Sequence, residues 1–294
     1  MSVVVVGQIG RDLVLRCAEL PESGGSAPVV ERREMLGGKG ANQAVGLAQL
    51  GVPVALIGVV GDDPPGAAVL RQASDDGIDI RGVAQRGDTA LLVDLVDAPG
   101  NRRLLEDIPD SSLVTVDDLD RSAAVFEGAD IVSLQLQQPP ETVLAAARRA
   151  HERGARVVAD GAPEESIRDE LMEWVQVIRA DAKEAELMAG EAVDSEDAAT
   201  DWARRLLDAG PELVAVAIPD AGDLIVWRDG SRLFPLSKVE VVDPTGAGDA
   251  FVAGLIAALR KDAPPPAAGE LAVAAASSTV QRLGGRPDLT ALAS

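Results

Sequence analysis

Short valine-rich runs alternate with longer stretches of helical pattern along this chain of 294 residues, and this alternation restricts the fold more than any other feature. The runs lie at 3–6, 54–60, 129–134, 156–159 and 213–218, and the helical stretches lie at 66–76, 139–153, 196–209 and 267–282. Continuous apolar runs are typical of parallel strands that are buried on both faces. We therefore predict an α/β fold, a mainly parallel central sheet covered by helices on both faces, in one large domain or two smaller ones.

A glycine-rich loop at 243–251 connects a predicted strand over 239–242 to a predicted helix that is apolar on nearly all sides. The backbone N–H groups of Gly246, Ala247 and Gly248 then lie at the positive end of the helix dipole, where they can hold an anion. Asp249 falls in the first turn, where the dipole favours its ionised form and where it is placed to accept a proton from a hydroxyl. In the alternative interpretation, Asp249 is only a capping carboxylate and the glycines only turn the chain.

A second glycine-rich segment, at 36–44, also begins a predicted helix, which Gly51 ends. Lys39 and Asn42 supply a cation and an amide beside exposed backbone, and this combination suits a polyhydroxylated ligand. The same residues also fit a tight strand-to-helix turn with a solvated lysine. The segment alone does not separate the two interpretations.

The charge and the single cysteine limit the partners and the compartment. A net charge of −21 disfavours nucleic acid and anionic membranes, so a triphosphate site must be made locally positive by amides, metal ions and a few basic residues. Cys17 is the only cysteine, no apolar run reaches membrane-spanning length, and the N-terminus leads directly into a strand. We therefore expect no disulfide, no membrane segment and a cytoplasmic location.

Other types of site are disfavoured by the motifs. His151 is the only histidine, which argues against histidine-based metal sites and Ser-His-Asp hydrolysis. Lys39 is followed by Gly40 rather than by Ser or Thr, so the segment is not a Walker A loop. The loop at 246–248 lacks the third glycine of a dinucleotide fingerprint, which disfavours a hydride-transfer enzyme.

Taken together, the two motifs resemble the signatures of the ribokinase-like (PfkB) carbohydrate kinases. The matching segments are 3–7 with Asp12, 37–44, 58–63, and 243–251 with Gly254. The resemblance covers essentially the whole chain. It implies a single ribokinase-like domain over 1–294 that phosphorylates a primary hydroxyl of a sugar with ATP.

The resemblance also implies a small β lid formed by about 11–35 and 82–112, which closes over the sugar, excludes water and joins two subunits in a homodimer. The residues themselves predict a hairpin, because the run 91–97 is followed by a turn at 98–101. Residues 13–15 fit either the lid or an ordinary edge strand.

Site residues follow from matching the family motifs position by position. Asp249 matches the base, and Gly246, Ala247 and Gly248 match the hole that neutralises the transferred phosphoryl group. The substrate-binding positions, with Asp249, are Asp12, Gly38, Lys39, Asn42 and Gln137. The nucleotide-binding positions are Asp181, Gly222, Gly246 and Gly248. The metal positions are Glu184, which acts on Mg²⁺ through water, and Asp243, Thr245, Thr279 and Gly284, which match a monovalent-cation site for K⁺ as an activator.

Four positions depart from the family pattern. Gly10 stands where an asparagine is usual, and Gln137 stands where a glutamate is common. Both changes remove polar groups that select the sugar, so the motifs predict phosphorylation of a sugar more firmly than they predict ribose as that sugar. Asp181 replaces an asparagine, and Pro219 removes an N–H from the nucleotide-binding turn. Asp181 and Glu184 also fit an ordinary solvated first helical turn.

We therefore predict an ATP-dependent sugar kinase that uses Mg²⁺ and binds its sugar and ATP as small molecules. One alternative is a kinase of the same fold that acts on a nucleoside, an inositol or another sugar class. The other alternative is a non-catalytic member that only binds a sugar or a nucleotide.

Overall fold

The computed structural model describes residues 2–98 and 100–293. The strands are β1 (Ser2–Val6), β2 (Gly10–Cys17), β3 (Val29–Gly37), β4 (Val54–Val60), β5 (Asp79–Gln85), β6 (Ala90–Val96), β7 (Arg102–Asp107), β8 (Ala129–Gln135), β9 (Arg156–Asp160), β10 (Val177–Ala180), β11 (Leu213–Ile218), β12 (Gly222–Trp227) and β13 (Gly230–Pro235). The helices are α1 (Lys39–Gln49), α2 (Pro64–Asp75), α3 (Val116–Arg121), α4 (Pro140–Glu152), α5 (Arg168–Met172), α6 (Ala182–Ala189), α7 (Glu196–Ala209), α8 (Ala247–Leu259) and α9 (Pro265–Thr279). Across the parts of the chain that the structure describes, no helix combines the length and the apolar character needed to span a membrane.

The strands of the larger sheet lie in the order β13-β12-β11-β10-β9-β8-β1-β4-β5. Seven strands of this sheet pair in parallel, namely β11, β10, β9, β8, β1, β4 and β5. Strands β12 and β13 add an antiparallel hairpin at one edge. All five valine-rich runs are strands of this sheet, and all four helical stretches are helices. The predicted α/β class with a mainly parallel sheet is therefore confirmed.

The larger sheet is buried on both faces because successive side chains of a strand point to opposite sides. In β1, Val3 and Val5 belong to the apolar core under α1, α2, α8 and α9, whereas Val4 and Val6 belong to the core under α3 to α7. All four valines are buried, and each such side chain contributes about 1.5–3 kcal/mol through removal from water. Helices thus cover both faces, as predicted.

Residues 239–242 do not form the predicted strand. The N–H groups of Val242 and Asp243 both donate to the carbonyl of Val280 just after α9, so this backbone is held by a loop and not by a neighbouring strand. Val241 lines a cavity and is 54 % exposed. The apolar run is explained by the cavity wall that it forms, and its composition alone does not reveal this.

The strands of the smaller sheet lie in the order β3-β2-β6-β7 and come from residues 10–37 and 90–107. Because β2 lies between β3 and β6, residues 13–15 are in a central strand, and the edge-strand interpretation is wrong. The boundary expected at residue 82 is also wrong. Residues 82–85 belong to β5, where they pair in parallel with the buried strand β4 of the larger sheet.

Strands β6 and β7 form the predicted antiparallel hairpin, with Leu91 opposite Asp107. The Asp97 side chain accepts a hydrogen bond from the backbone N–H of Asn101 at 2.8 Å, and this contact closes the turn. Pro99, one of the predicted turn residues, lies outside the described residues. Strand β6 also carries the buried Asp94, which lines a cavity together with residues of both glycine-rich segments.

Candidate active site

The two glycine-rich motifs meet at one cavity of about 360 Å³. Gln8, Gln137 and Asp181 follow the carboxyl ends of β1, β8 and β10 and line this cavity, which is the usual place for a ligand in an open α/β sheet. The Asn42 side-chain amide donates a hydrogen bond to Oδ2 of Asp249 at 3.0 Å. This bond joins the first turn of α1 to the first turn of α8.

The loop before α8 lines the cavity with Gly246, Ala247 and Gly248. Gly246 has a φ of 75°, and a Cβ there would lie 2.0 Å from the carbonyl oxygen of Gly285, so a larger residue requires a backbone shift. Within the described residues, the N–H groups of Gly246 and Gly248 have no acceptor, whereas that of Ala247 donates to the Pro244 carbonyl over 3.4 Å. Such N–H groups at the positive end of a helix form an anion site.

Asp249 is 6 % exposed and makes no capping hydrogen bond, so the capping interpretation is wrong. Burial raises its pKa to about 7, and Asp160 raises the pKa too, while Lys39, the hydrogen bond from Asn42 and Arg179 oppose the rise. Burial therefore outweighs the helix dipole, which was expected to favour the ionised form. A carboxyl group with a pKa near neutrality is suited to act as a general base.

Two buried oxygen atoms on the cavity wall have no hydrogen-bond partner among the described residues. They are Oδ1 of Asp12, on β2, and Oδ1 of Asn42, on α1. Burial raises the pKa of Asp12 to about 7, and the charges of Asp94 and Asp249 raise it as well. An unsatisfied buried polar atom costs about 1–3 kcal/mol, so a ligand that supplies hydroxyl donors is favoured here.

The other expected sugar-side positions lie close by. Gly38 is the N-cap of α1 with a φ of 88°, and Gln137 is exposed on the cavity wall. Gly10 does not line the cavity. A Cβ at Gly10 would lie 2.7 Å from Cδ1 of Leu92 in the neighbouring strand β6, so a larger residue would press on Leu92 within the smaller sheet.

Lys39 is not a solvated lysine, as one interpretation of its motif expected. Its Nζ donates to Oε1 of Glu184 at 3.2 Å. Burial opposes the charge of Lys39, but Asp160, Glu184 and Asp249 together raise its pKa. Lys39 therefore remains a cation beside the carboxylates of Asp160, Glu184 and Asp249.

Asp181 and Glu184 form a reciprocal cap at the start of α6, because each carboxylate accepts the backbone N–H of the other residue at 2.8 Å. The helical-turn interpretation is correct for the local structure, but the Glu184 side chain is only 14 % exposed and Asp181 lines the cavity. The described residues contain no group of three or more potential metal-binding side chains. Mg²⁺ that arrives with phosphates keeps several waters and needs only one or two carboxylates, so this pair fits a water-mediated contact.

Three of the four residues expected at a monovalent-cation site are joined by hydrogen bonds to the buried carboxylate of one of them, Asp243. Oδ1 of Asp243 accepts both the backbone N–H and the hydroxyl of Thr245, and Oδ2 accepts the N–H of Gly284 at 2.9 Å. The Thr279 hydroxyl donates to the Ala275 carbonyl within α9. Asp243 thus ties the loop before α8 to the segment after α9.

Arg179 and Asp160 belong to the site and were missed by the sequence analysis. Nη1 of Arg179 donates to Oδ1 of Asp160 at 3.2 Å, and the Gln43 amide donates to Oδ2 at 2.9 Å. Burial opposes the charge of Arg179, but the carboxylates of Asp160, Glu184 and Asp223 raise its pKa. A charged residue at or next to the carboxyl end of a mostly apolar strand, as Asp160 in 156–160 and Arg179 in 177–180, is the signal that could have identified both.

A second cavity of about 350 Å³ adjoins the first and has a mostly apolar wall. Gly248 and Arg179 line both cavities, so they stand where the two meet. Gly222 begins β12 with a φ of 136° and precedes Asp223, which lines this second cavity. A Cβ at Gly222 would lie 2.0 Å from the Phe234 carbonyl oxygen. Pro219 occupies the preceding turn, which the Ala221 N–H closes onto Ile218 without needing an N–H from the proline.

Comparisons with known proteins agree on one family. The model of the pfkB family of carbohydrate kinases matches residues 1–292. A ribokinase of Haemophilus influenzae is 29 % identical over 98 % of this chain and 95 % of its own, and an ATP-dependent ribose-1-phosphate kinase of Halopiger xanaduensis is 33 % identical over 99 % and 96 %. Among solved structures, a ribokinase of Thermotoga maritima superposes with a TM-score of 0.83 at 28 % identity, over 97 % of this chain and 95 % of its own.

Proposed function

This chain belongs to the pfkB family of carbohydrate kinases and is an ATP-dependent sugar kinase, and we propose that it phosphorylates the primary hydroxyl of a pentose with Asp249 as the base. The observation that carries this proposal is the hydrogen bond from Asn42 to Asp249 beside the N–H groups of Gly246 and Gly248. This arrangement supports the proposal, in which Asp249 is the proton acceptor, Asn42 binds the sugar and the two N–H groups hold the phosphoryl group.

The sugar-side wall favours a neutral polyol as the substrate. Asp12 and Asn42 present buried acceptors that a pair of hydroxyl groups satisfies, and Asp94 and Glu106 add negative charge to the same cavity. An anionic substrate would face these carboxylates. Ribose, the substrate in the names of several relatives, meets this description.

A second candidate is ribose 1-phosphate, the substrate in the name of the relative from Halopiger xanaduensis. Arg102 lines the cavity, and Gln137 is neutral where a carboxylate would repel a phosphate. The Arg102 guanidinium is already paired with the buried Asp94, however. We therefore rank the neutral pentose first.

In the proposed mechanism, Asn42 orients the carboxylate of Asp249, and Asp249 removes the proton of the attacking hydroxyl. The N–H groups of Gly246 and Gly248 stabilise the charge on the transferred phosphoryl group, so the protein needs no covalent intermediate. ATP enters through the apolar cavity with its phosphates towards Lys39. Asp181 and Glu184 would hold, through water, the Mg²⁺ that arrives with ATP, and the ion would supply positive charge to the phosphate oxygens.

The smaller sheet is proposed to act as a lid that closes over the sugar, because it supplies Asp12, Asp94 and Arg102 to the cavity wall. Its edge strands expose Val30 and Leu105, and these apolar side chains suit a homodimer joined through the lid.

K⁺ is proposed as an activator that acts near Asp243. The cytoplasm is proposed as the location of the enzyme.

The proposal is tested by ADP release from Mg·ATP with ribose, deoxyribose, ribose 1-phosphate, fructose, inositols and nucleosides, in K⁺ and in Na⁺ buffers. We expect turnover with ribose to exceed turnover with each of the other compounds, and K⁺ to increase it. Preference for ribose 1-phosphate, or for a nucleoside or inositol, would select the corresponding alternative. Measurable sugar binding without any turnover would contradict the kinase proposal and indicate a non-catalytic member.

A further inference from the structure

Arg179 stands at the junction of the two cavities, on a strand where every neighbouring side chain is buried. It is 8 % exposed, and the pairing of β10 with β9 and β11 fixes its backbone. If sugar fills one cavity and nucleotide the other, the phosphoryl group crosses at this junction. A buried guanidinium there is not required by the fold, since the neighbouring positions of β10 are apolar.

The guanidinium is held on one side and unsatisfied on the other. Nη1 donates to Asp160 at 3.2 Å and lies 4.0 Å from Glu184. The buried Nε has no hydrogen-bond partner within the described residues. The whole guanidinium lies against the start of α8, because a Cβ at Gly248 would be 2.7 Å from Nη2 and 2.8 Å from Nη1.

We propose that Arg179 is a further catalytic residue, whose guanidinium contacts the phosphoryl group as it passes from ATP to the sugar. The inference rests on the proposed function. An arginine presents two parallel N–H donors to phosphate oxygens, and charge-assisted donors of this kind are stronger than backbone amides alone. Asp160 holds the guanidinium in place, much as a carboxylate orients other buried cations. In a chain of net charge −21, this side chain supplies positive charge where the triphosphate needs it.

A purely structural role makes a different prediction. Arg179 also opposes the rise in the pKa of Asp249. If this is its whole contribution, the loss of Arg179 reduces activity solely because more of Asp249 is protonated. In that case the activity of an Arg179→Met variant would recover at high pH, when Asp249 ionises. A contact with the phosphoryl group predicts a loss that persists at every pH.

The test compares the wild type with Arg179→Met, Arg179→Lys and the surface control Arg148→Met, whose arginine pairs with an exposed Glu170. We expect kcat of Arg179→Met to fall by about 10²–10³-fold, as for removal of an oxyanion donor, with the KM for sugar unchanged. Arg179→Lys keeps the charge but not the paired donors, so we expect an intermediate loss. The control variant retains the wild-type kcat.

Binding gives a second measurement that does not depend on turnover. With sugar present, Arg179→Met is expected to bind Mg·ADP as the wild type does, and to bind Mg·ADP with aluminium fluoride, which mimics the transferred group, much more weakly. If Arg179→Met does not fold, Arg179→Lys takes its place in both measurements. Equal aluminium fluoride affinity, or recovery of kcat at high pH, would overturn the inference while the sugar kinase stands. A wild type without turnover would instead overturn the proposed function, and this inference with it.

Discussion

Among single residues, Asp249 and Asn42 carry most of the proposed chemistry, and both were identified from the sequence because they stand at fixed positions of glycine-rich motifs. The sequence does not reveal that they touch, since 207 residues separate them. Arg179 and Asp160 were not identified, because isolated charges at strand ends match no local motif. Their role depends on strand order, which brings β9 and β10 side by side.

The pH dependence of turnover follows from the pKa of Asp249, which burial raises to about 7. Since the base acts only when ionised, kcat/KM is expected to rise with pH and to level off above about pH 7. Asp12 has a similar pKa and lies nearby, so the two carboxyl groups titrate as a pair. A pH profile of kcat/KM at constant ionic strength measures this, and a flat profile between about pH 5 and 8 would contradict it.

Asn42→Leu keeps the approximate size of the side chain and removes its amide. The hydrogen bond from Asn42 lowers the pKa of Asp249, so the variant's pH profile is expected to move to higher pH. The lost sugar contact is expected to raise the KM as well, because a site that hydrogen-bonds a hydroxyl loses specificity when the partner is missing. Gln49→Leu, at the far end of α1, is the control for the loss of a hydrogen-bonded amide, because Gln49 bonds the backbone of Pro287 and Leu289 and does not line the cavity. A variant with an unchanged pH profile would show that Asn42 does not influence the base.

At the scale of elements, periodicity and composition located the valine-rich strands and the long helices, because a buried strand and an amphipathic helix each leave a repeated pattern. The same reasoning failed for residues 239–242, whose apolar side chains line a cavity instead of a sheet. The expected start of the second lid segment, residue 82, was also misplaced, because it falls inside β5. An apolar segment indicates that its side chains lie at an apolar surface. Its sequence does not distinguish a neighbouring strand or helix from the wall of a cavity.

Gly246→Ala tests the loop that begins α8. Gly246 has a φ of 75°, and an added Cβ would lie 2.0 Å from the Gly285 carbonyl oxygen, so the loop and its N–H groups must shift. We expect a large loss of kcat, of about 10²-fold or more, together with a lower melting temperature. The matched control is Gly128→Ala, which has a φ of 73° and open space around the added Cβ. The control is expected to lose only about 1 kcal/mol of stability and no kcat. Equal effects of the two substitutions would show that backbone strain alone is responsible.

For the whole molecule, the larger sheet provides a rigid base and the smaller sheet supplies acidic residues from the other side of the cavity. Both sheets could be expected from the sequence, the larger one from its pattern and the smaller one from the family resemblance. The concentration of buried carboxyl groups between them could not, because it depends on how the sheets pack. This concentration makes stability depend on pH.

The pKa values of Asp12 and Asp249 rise from 3.8 to about 7 on folding, so the folded state binds more protons than the unfolded state between these values. The stability that protonation contributes is fully present below about pH 3.8 and is lost as the pH rises through about 7. The ligand-free protein is therefore expected to lose on the order of 2 kcal/mol of unfolding free energy between about pH 5 and pH 8. Urea unfolding at constant ionic strength measures the change. Asp249→Asn should weaken the pH dependence, and a wild type that is more stable at the higher pH would contradict the account.

The central claim is that Asp249 activates the hydroxyl of a sugar bound beside the start of α8. The most direct measurement compares single-turnover phosphorylation of ribose by the wild type and by Asp249→Asn, with sugar binding measured on the same samples. The account predicts that the variant binds ribose with similar affinity and transfers the phosphoryl group about 10²–10⁴-fold more slowly. Phosphoryl transfer by Asp249→Asn at nearly the wild-type rate would contradict the account, because Asp249 would then not be the base.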